Sequence, residues 1–119
     1  MMVRPHTAAV ATAMALNASP FERIDSDAED AFWRESYPDL LYYNPKQDYA
    51  QFAPAYRLGY EGRQRYRCSF ESAEPWLRRE WDSRRGVSTL GWSQARVATR
   101  DAWERVERLS HGSLLRDGL

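Results

Sequence analysis

The side chains best able to do chemistry in this chain are arginines and aromatics, and they are densest in AYRLGYEGRQRYR, residues 55–67. Within it Arg63, Arg65 and Arg67 surround Tyr66 with no acid nearby. Guanidinium groups pair with phosphates in a forked geometry, and tyrosine rings stack on bases. The cluster is therefore typical of a binding site for single-stranded nucleic acid.

The same stretch also fits an ordinary packed helix. At helical spacing one side of that helix carries Phe52, Tyr56, Gly59, Tyr60 and Arg63. On the other side Arg57, Glu61 and Arg65 are four residues apart, so that Glu61 is placed to pair with both arginines. Gly59 and Gly62 each cost a helix about 1 kcal/mol relative to alanine, which suggests that another helix approaches closely there. We favour the packed helix.

The candidate binding surface combines this segment with the arginine pairs that follow it, and consists of Arg63, Arg65, Tyr66, Arg67, Arg79, Arg84 and Arg85. Residues 57–100 carry ten arginines against five acids, whereas residues 1–50 carry eight acids against four basic residues. The formal net charge is nonetheless zero, and a dedicated polyanion binder is usually clearly basic. The unequal distribution of charge, acidic in residues 1–50 and basic in residues 57–100, also suits head-to-tail contact between copies of the chain.

Catalytic and metal-binding patterns are missing from the sequence. His6 and His111 lie in the two expected tails, Cys68 is the only cysteine, and no HExxH or CxxC motif is present. GYEG and GVSTLG lack the spacing and the lysine of a phosphate-binding loop. We therefore predict a protein that is not an enzyme, with no catalytic residue, cofactor or metal. A single cysteine also suits a reducing compartment, and we expect a cytoplasmic location.

Length and composition predict one small domain with a core of rings. The 119 residues include 16 aromatic side chains, but Leu, Ile, Val and Phe together number only 20. Each aromatic ring can bury about 150–250 Å², so rings must supply much of the core. No apolar run approaches the roughly 18–20 residues that span a bilayer, and no membrane partner is expected.

The two ends of the chain differ from its middle. Residues 1–23 are rich in alanine, threonine and serine, with no acid before Glu22 and no aromatic before Phe21. They have the outline of a weak targeting peptide, but their apolar part is mostly alanine, which makes a poor signal. We expect a disordered N-terminal arm there, a helical domain at 24–110, and a loose tail at 111–119.

The first predicted helix opens at Ser26, which with Glu29 has the spacing of a capping box. Phe32 and Trp33 are its candidates for burial. It should end at Tyr37, because a proline follows and disfavours helical geometry in the preceding residue. Residues 38–50 are then predicted to connect the first helix to the second. Its tyrosines are expected to pack across the bundle.

Three further helices follow. The second should begin near Pro54, which suits a first turn. The third has Ser72 as its expected N-cap, an apolar stripe of Leu77 and Trp81 that Trp76 flanks, and Gly86 after its end. The last should end at His111 and Gly112, and its apolar stripe is Trp92, Ala95, Thr99, Ala102, Trp103, Val106 and Leu109. We predict an all-α bundle of three to four short helices with an aromatic-rich core.

The chain also resembles a family of small uncharacterised bacterial proteins that are regarded as stress-associated. The matching stretches are PAYRLGYE, EPWLRREW and GWSQARVATRDAW, within residues 30 to 107. The resemblance implies a class of protein and supplies no site residue. Together these observations predict a non-enzymatic helical protein that acts by protein–protein interaction, with a homodimer as one form. The alternative is nucleic-acid binding through residues 57–67 and 78–85.

Overall fold

The computed structural model describes residues 24–118, with side chains through Ser110. This part of the chain forms no β-strand, and the predicted all-α bundle is confirmed. A 3₁₀ turn at Tyr37–Asp39 follows the first helix, and the α-helices are α1 (Ser26–Ser36), α2 (Tyr49–Arg65), α3 (Phe70–Arg84) and α4 (Trp92–Gly118). The expected arm at residues 1–23 lies outside the described residues.

Helix α2 is the centre of the bundle. It contacts α1, α3 and α4, and its contact with α4 is the most extensive in the fold. A helix that meets neighbours on several sides must be apolar around much of its circumference. The sequence of α2 meets this requirement, because its buried residues are Tyr49, Phe52, Ala55, Tyr56, Leu58, Gly59, Tyr60 and Gly62.

The backbones of α2 and α4 approach each other closely at Gly59. A Cβ atom at this position would lie 2.2 Å from the carbonyl oxygen of Thr99 and 2.9 Å from the Cβ atom of Ala102. The fully buried Thr99 hydroxyl donates a hydrogen bond of 2.9 Å to the carbonyl oxygen of Ala55. The predicted role of Gly59, to admit a second helix, is confirmed.

Aromatic rings fill the space around this contact. Trp33 of α1 stacks on Tyr56 with a centroid separation of 4.6 Å and an interplanar angle of 8°. On the other side Phe70 meets Trp103 edge to face at 5.7 Å. Trp81 and Trp103 are 1% and 0% exposed, so their predicted burial is confirmed.

Two predictions for α1 are wrong. Its N-cap is Asp25, whose carboxylate accepts a 3.1 Å hydrogen bond from the backbone N–H of Ala28. Glu29 does not complete a capping box, because its carboxylate is 5% exposed and accepts a 3.0 Å bond from Arg105. Phe32 is 37% exposed and is covered by the guanidinium of Arg105, 3.5 Å from the ring centroid.

The boundaries of the other helices also differ from the sequence predictions. Helix α2 begins at Tyr49 and includes Pro54 in its interior, where the missing N–H removes one helical bond without ending the helix. Helix α3 begins at Phe70 and is capped by Ser69, not by Ser72, which donates its backbone N–H to the Ser69 hydroxyl.

The last helix continues beyond the predicted end at His111 and Gly112, and reaches Gly118. A single interior glycine costs only about 1 kcal/mol, and no proline follows to stop the helix. Gly86 does occupy the predicted position after the end of α3, with a φ of 56° that favours glycine. None of the described helices is both long enough and apolar enough to cross a membrane.

The contact at Gly59 predicts a large difference between two otherwise similar substitutions. Gly59→Ala should lower the free energy of unfolding by about 3 kcal/mol or more, because the new Cβ meets rigid backbone. Gly62→Ala is the matched control. It gains the same helix propensity, but its Cβ meets only side chains: the flexible end of Leu77 at 2.9 Å, and the Trp103 ring at an ordinary contact distance of 3.6 Å. We expect a change within about 1 kcal/mol there.

Denaturant unfolding of both variants measures the difference. Equal stability of the two would show that α2 and α4 are not in backbone contact at Gly59.

Candidate functional site

The predicted basic surface does not form one continuous patch. Arg63, its first member, lies at the edge of the core with 11% of its side chain exposed. Its Nε donates to Glu107 at 3.3 Å, and its guanidinium lies 5.7 Å from the centroid of the Trp103 ring. Arg63 therefore covers a buried tryptophan and does not present its charge to a ligand.

An ion-pair network between α2 and α3 occupies three more arginines. Glu61 accepts from Arg57 at 2.9 Å and from Arg84 of α3. Glu80 accepts from Arg65 at 2.6 Å and lies 3.8 Å from Arg84. The predicted pair of Arg57 with Glu61 is confirmed. The predicted pair of Arg65 with Glu61 is wrong, because Arg65 reaches across to the neighbouring helix.

The remaining arginines of the prediction are more exposed. Arg67, Arg79 and Arg85 are all solvent-exposed, as is Arg78. Within the described residues Arg78, Arg79 and Arg85 take part in no ion pair. Arg79 lies one helical turn beyond Trp76, so the two side chains project from the same side of α3.

Tyr66 and Trp76 form the most exposed aromatic group in the part of the chain that the structure describes. Their rings stack with a centroid separation of 5.6 Å and an interplanar angle of 16°. The Tyr66 hydroxyl donates to Glu80 at 2.6 Å, and the guanidinium of Arg65 lies 5.4 Å from the Tyr66 ring. Trp76 is 46% exposed, although sequence reasoning placed it only beside the buried stripe of α3. We call this group the Tyr66–Trp76 surface.

A cleft separates the start of α1 from α2 and from the turn after α3, with a volume of about 780 Å³. This size is in the range of small-molecule pockets. Asp27 and Asp30 contribute carboxylates to it, and Arg57, Arg84 and Arg85 contribute guanidinium groups. Most of these charges are already partnered.

Few of the charged groups in the cleft are therefore available to a ligand. Glu61 holds both Arg57 and Arg84. Asp30 accepts from Arg34 and from the Tyr49 hydroxyl. The cleft is a mixed surface in which three of the five charged lining residues are paired within the protein, while Asp27 and Arg85 take part in no ion pair among the described residues.

A partly buried polar network joins the connection before α2 to the core, and sequence reasoning missed it. The Tyr42 hydroxyl donates to Asp101 at 2.9 Å and lies 2.7 Å from the Tyr56 hydroxyl. Burial raises the pKa of the Asp101 carboxyl and of both phenols above their usual values. No local spacing joins residues 59 positions apart, so the sequence held no signal for this network.

The described residues include no group of three or more histidine, cysteine or acidic side chains that could hold a metal ion. Cys68 is a partly exposed free thiol. The side chains of His6 and His111 lie outside the described part of the chain.

Comparison with known proteins adds no relative. No protein-family model, curated protein or solved structure matches this chain. The resemblance to stress-associated bacterial proteins stays a prediction.

The raised pKa of Asp101 predicts a pH-dependent effect on stability. Because the folded state binds this proton more tightly than the unfolded state, the ionised carboxylate lowers the free energy of unfolding above its folded pKa. The cost disappears as the pH falls below the ordinary pKa of about 3.9. Asp101→Asn keeps an acceptor for Tyr42. We expect it to be at least as stable as the parent at neutral pH.

Denaturant unfolding across a pH series measures this difference, with the exposed Asp39→Asn as control. The advantage of the Asp101 variant should shrink toward acid pH. A variant less stable than the parent at neutral pH would show that the charged bond to Tyr42 outweighs the cost of burial.

Proposed function

We propose that this protein is a non-enzymatic helical domain that acts by binding another protein through the Tyr66–Trp76 surface. The observation that carries the proposal is the 46% exposure of Trp76 on a helix whose other large apolar side chains, Phe70, Leu77 and Trp81, are buried. A cytoplasmic location and a part in stress responses belong to the same proposal, and they are supported by the lone cysteine and by the family resemblance.

The composition of the surface supports a protein partner. Tryptophan, tyrosine and arginine are the residues enriched at the energetic centres of protein interfaces. Here Trp76 and Tyr66 are adjacent, and Arg79 projects from the same side of α3 as Trp76. Covering the exposed part of a tryptophan removes apolar surface from water, which favours association by about 25 cal/mol per Å².

The rigidity of the surface supports the same conclusion. Tyr66 is held by its bond to Glu80, and Glu80 is held in turn by Arg65. Trp76 stacks on the ring that this network fixes. A side chain that is already ordered loses less conformational entropy on binding, so the network prepares the surface for a partner.

Nucleic-acid binding is the second candidate, and the exposed Trp76 beside Arg79 is the observation in its favour. Three members of the predicted basic surface, Arg63, Arg65 and Arg84, are engaged with carboxylates. The chain has no net charge, so few phosphates would be neutralised on binding. A protein partner is therefore favoured.

Site-specific photo-cross-linking in the host cell tests this proposal. We expect Trp76→benzoylphenylalanine to give discrete protein adducts, because the ring stands at the centre of the contact. The control is the same group at Val97, which is 41% exposed on α4. Circular dichroism of both variants checks that the fold is kept.

Adducts of equal yield at both positions, or adducts with nucleic acid alone at position 76, would contradict the proposal. Oligonucleotide binding in a salt titration provides the second readout. Sub-micromolar affinity that is lost when Arg63, Arg65 and Arg67 are all changed to alanine would favour the nucleic-acid alternative.

A further inference from the structure

The outer face of α3 carries an ordered pattern of charge along the helix. Its exposed residues are Glu71, Ser72, Pro75, Trp76, Arg78, Arg79, Asp82 and Ser83. The acid Glu71 lies in the first turn, Trp76 lies near the middle, and the arginine pair follows in the C-terminal half. Arg78 and Arg79 take part in no ion pair within the described residues, so their charges are available to a partner.

This order is complementary to itself when two such faces run in opposite directions. In an antiparallel pair residue 71 of one copy faces residue 79 of the other if the symmetry axis passes at the level of residue 75. Glu71, which accepts from Arg100 at 2.7 Å but keeps 61% of its side chain exposed, then faces Arg79, with Arg78 one position away, and the same contact forms twice. A parallel pair would instead place each arginine against its own copy, which is unfavourable.

The position of Trp76 fits the same antiparallel alignment as the charged residues. Trp76 lies one residue from the level of Pro75, so the two Trp76 rings would be offset by about 3 Å along the helices. A two-fold axis perpendicular to the helices places a given residue at the same edge of the interface in both copies. The two Trp76 side chains therefore lie at the same edge, where their rings can stack with an offset, which is a favoured arrangement of aromatic rings.

Other features of the face fit the same register. Ser72 and Pro75 are short side chains at its centre, which suits the 8–10 Å separation of packed helices. Self-complementarity of this kind is what a two-fold interface requires, whereas binding of an unrelated protein does not need it.

We propose that the protein partner of the Tyr66–Trp76 surface is a second copy of this chain, paired antiparallel along α3 about a two-fold axis at Pro75. This inference rests on the proposed function, because it names the partner for that surface. A single helix face is small for an interface, so the dimer is expected to be of micromolar affinity, on the order of weak homodimers.

Sedimentation velocity of the full chain over a wide concentration range tests the pairing. We expect a reversible monomer–dimer equilibrium. Trp76→Ala should weaken it by about tenfold or more, as loss of a central aromatic does. Val97→Ala on α4 is the control and should leave the equilibrium unchanged.

A charge exchange tests the antiparallel register. Glu71→Arg and Arg79→Glu should each weaken the dimer, because each places like charges across the axis. The double variant should recover most of the affinity, since the pairs re-form with reversed sign. Circular dichroism and melting curves identify any loss of fold, because Glu71 also accepts from Arg100 at 2.7 Å.

An engineered cysteine gives a measurement that does not depend on those charges. Pro75→Cys in a Cys68→Ser background should form a disulfide with its own copy under mild oxidation, because position 75 lies at the axis. Val97→Cys in the same background is the control and should remain monomeric.

The outcomes separate this inference from the proposed function. A chain that stays monomeric and does not cross-link at position 75 overturns the homodimer, while adducts of Trp76→benzoylphenylalanine with a different protein would still support the function. A dimer that is insensitive to Trp76→Ala and to the charge exchange also overturns the inference, because its interface would lie elsewhere.

Discussion

The backbone contact between α2 and α4 at Gly59 is the constraint on which the rest of the fold depends. With the Thr99 carbonyl oxygen 2.2 Å from where a Cβ would stand, no side chain fits between the helices. Large rings must then lie to either side of the contact. Tyr56 turns toward α1, where Trp33 stacks on it, and Trp103 turns toward Phe70 of α3. The core has few aliphatic residues, and aromatic rings fill the space on both sides of a narrow seam, the contact between α2 and α4 that glycine, alanine and threonine form.

The sequence predicted this seam because its signal is local. Gly59 falls on the aromatic side of a helical repeat, and Trp103 lies at the centre of a clear apolar stripe. The prediction failed for α1, where Phe32 is exposed and Glu29 is buried, the reverse of what residue type suggests. The cause is Arg105, which pairs with Glu29 and lies over the Phe32 ring from 76 residues further along the chain. No periodicity within α1 carries information about that partner.

The candidate surface was predicted in part for the same reason. Spacing within one helix correctly paired Arg57 with Glu61, but the acids that hold Arg63 and Arg84 are 44 and 23 residues away. The carboxylates that pair with the arginine cluster are therefore spread over three helices, with Glu61 on α2, Glu80 on α3 and Glu107 on α4. The exposure of Trp76 did have a signal, because the residue before the buried Leu77 is rotated by about 100° from it on a helix.

The arginines have a structural role, which is to cover aromatic rings at the edge of the core. Sixteen of the 17 basic residues are arginine. Their flat guanidinium groups lie over several core rings, with Arg34 over Tyr49 and both Arg96 and Arg100 over Phe70. Because a ring core in a small bundle leaves edges at the surface, cations that stack and also bind carboxylates can seal those edges. Trp76 remains 46% exposed despite this abundance of arginine, and the proposed contact with another chain rests on that exposure.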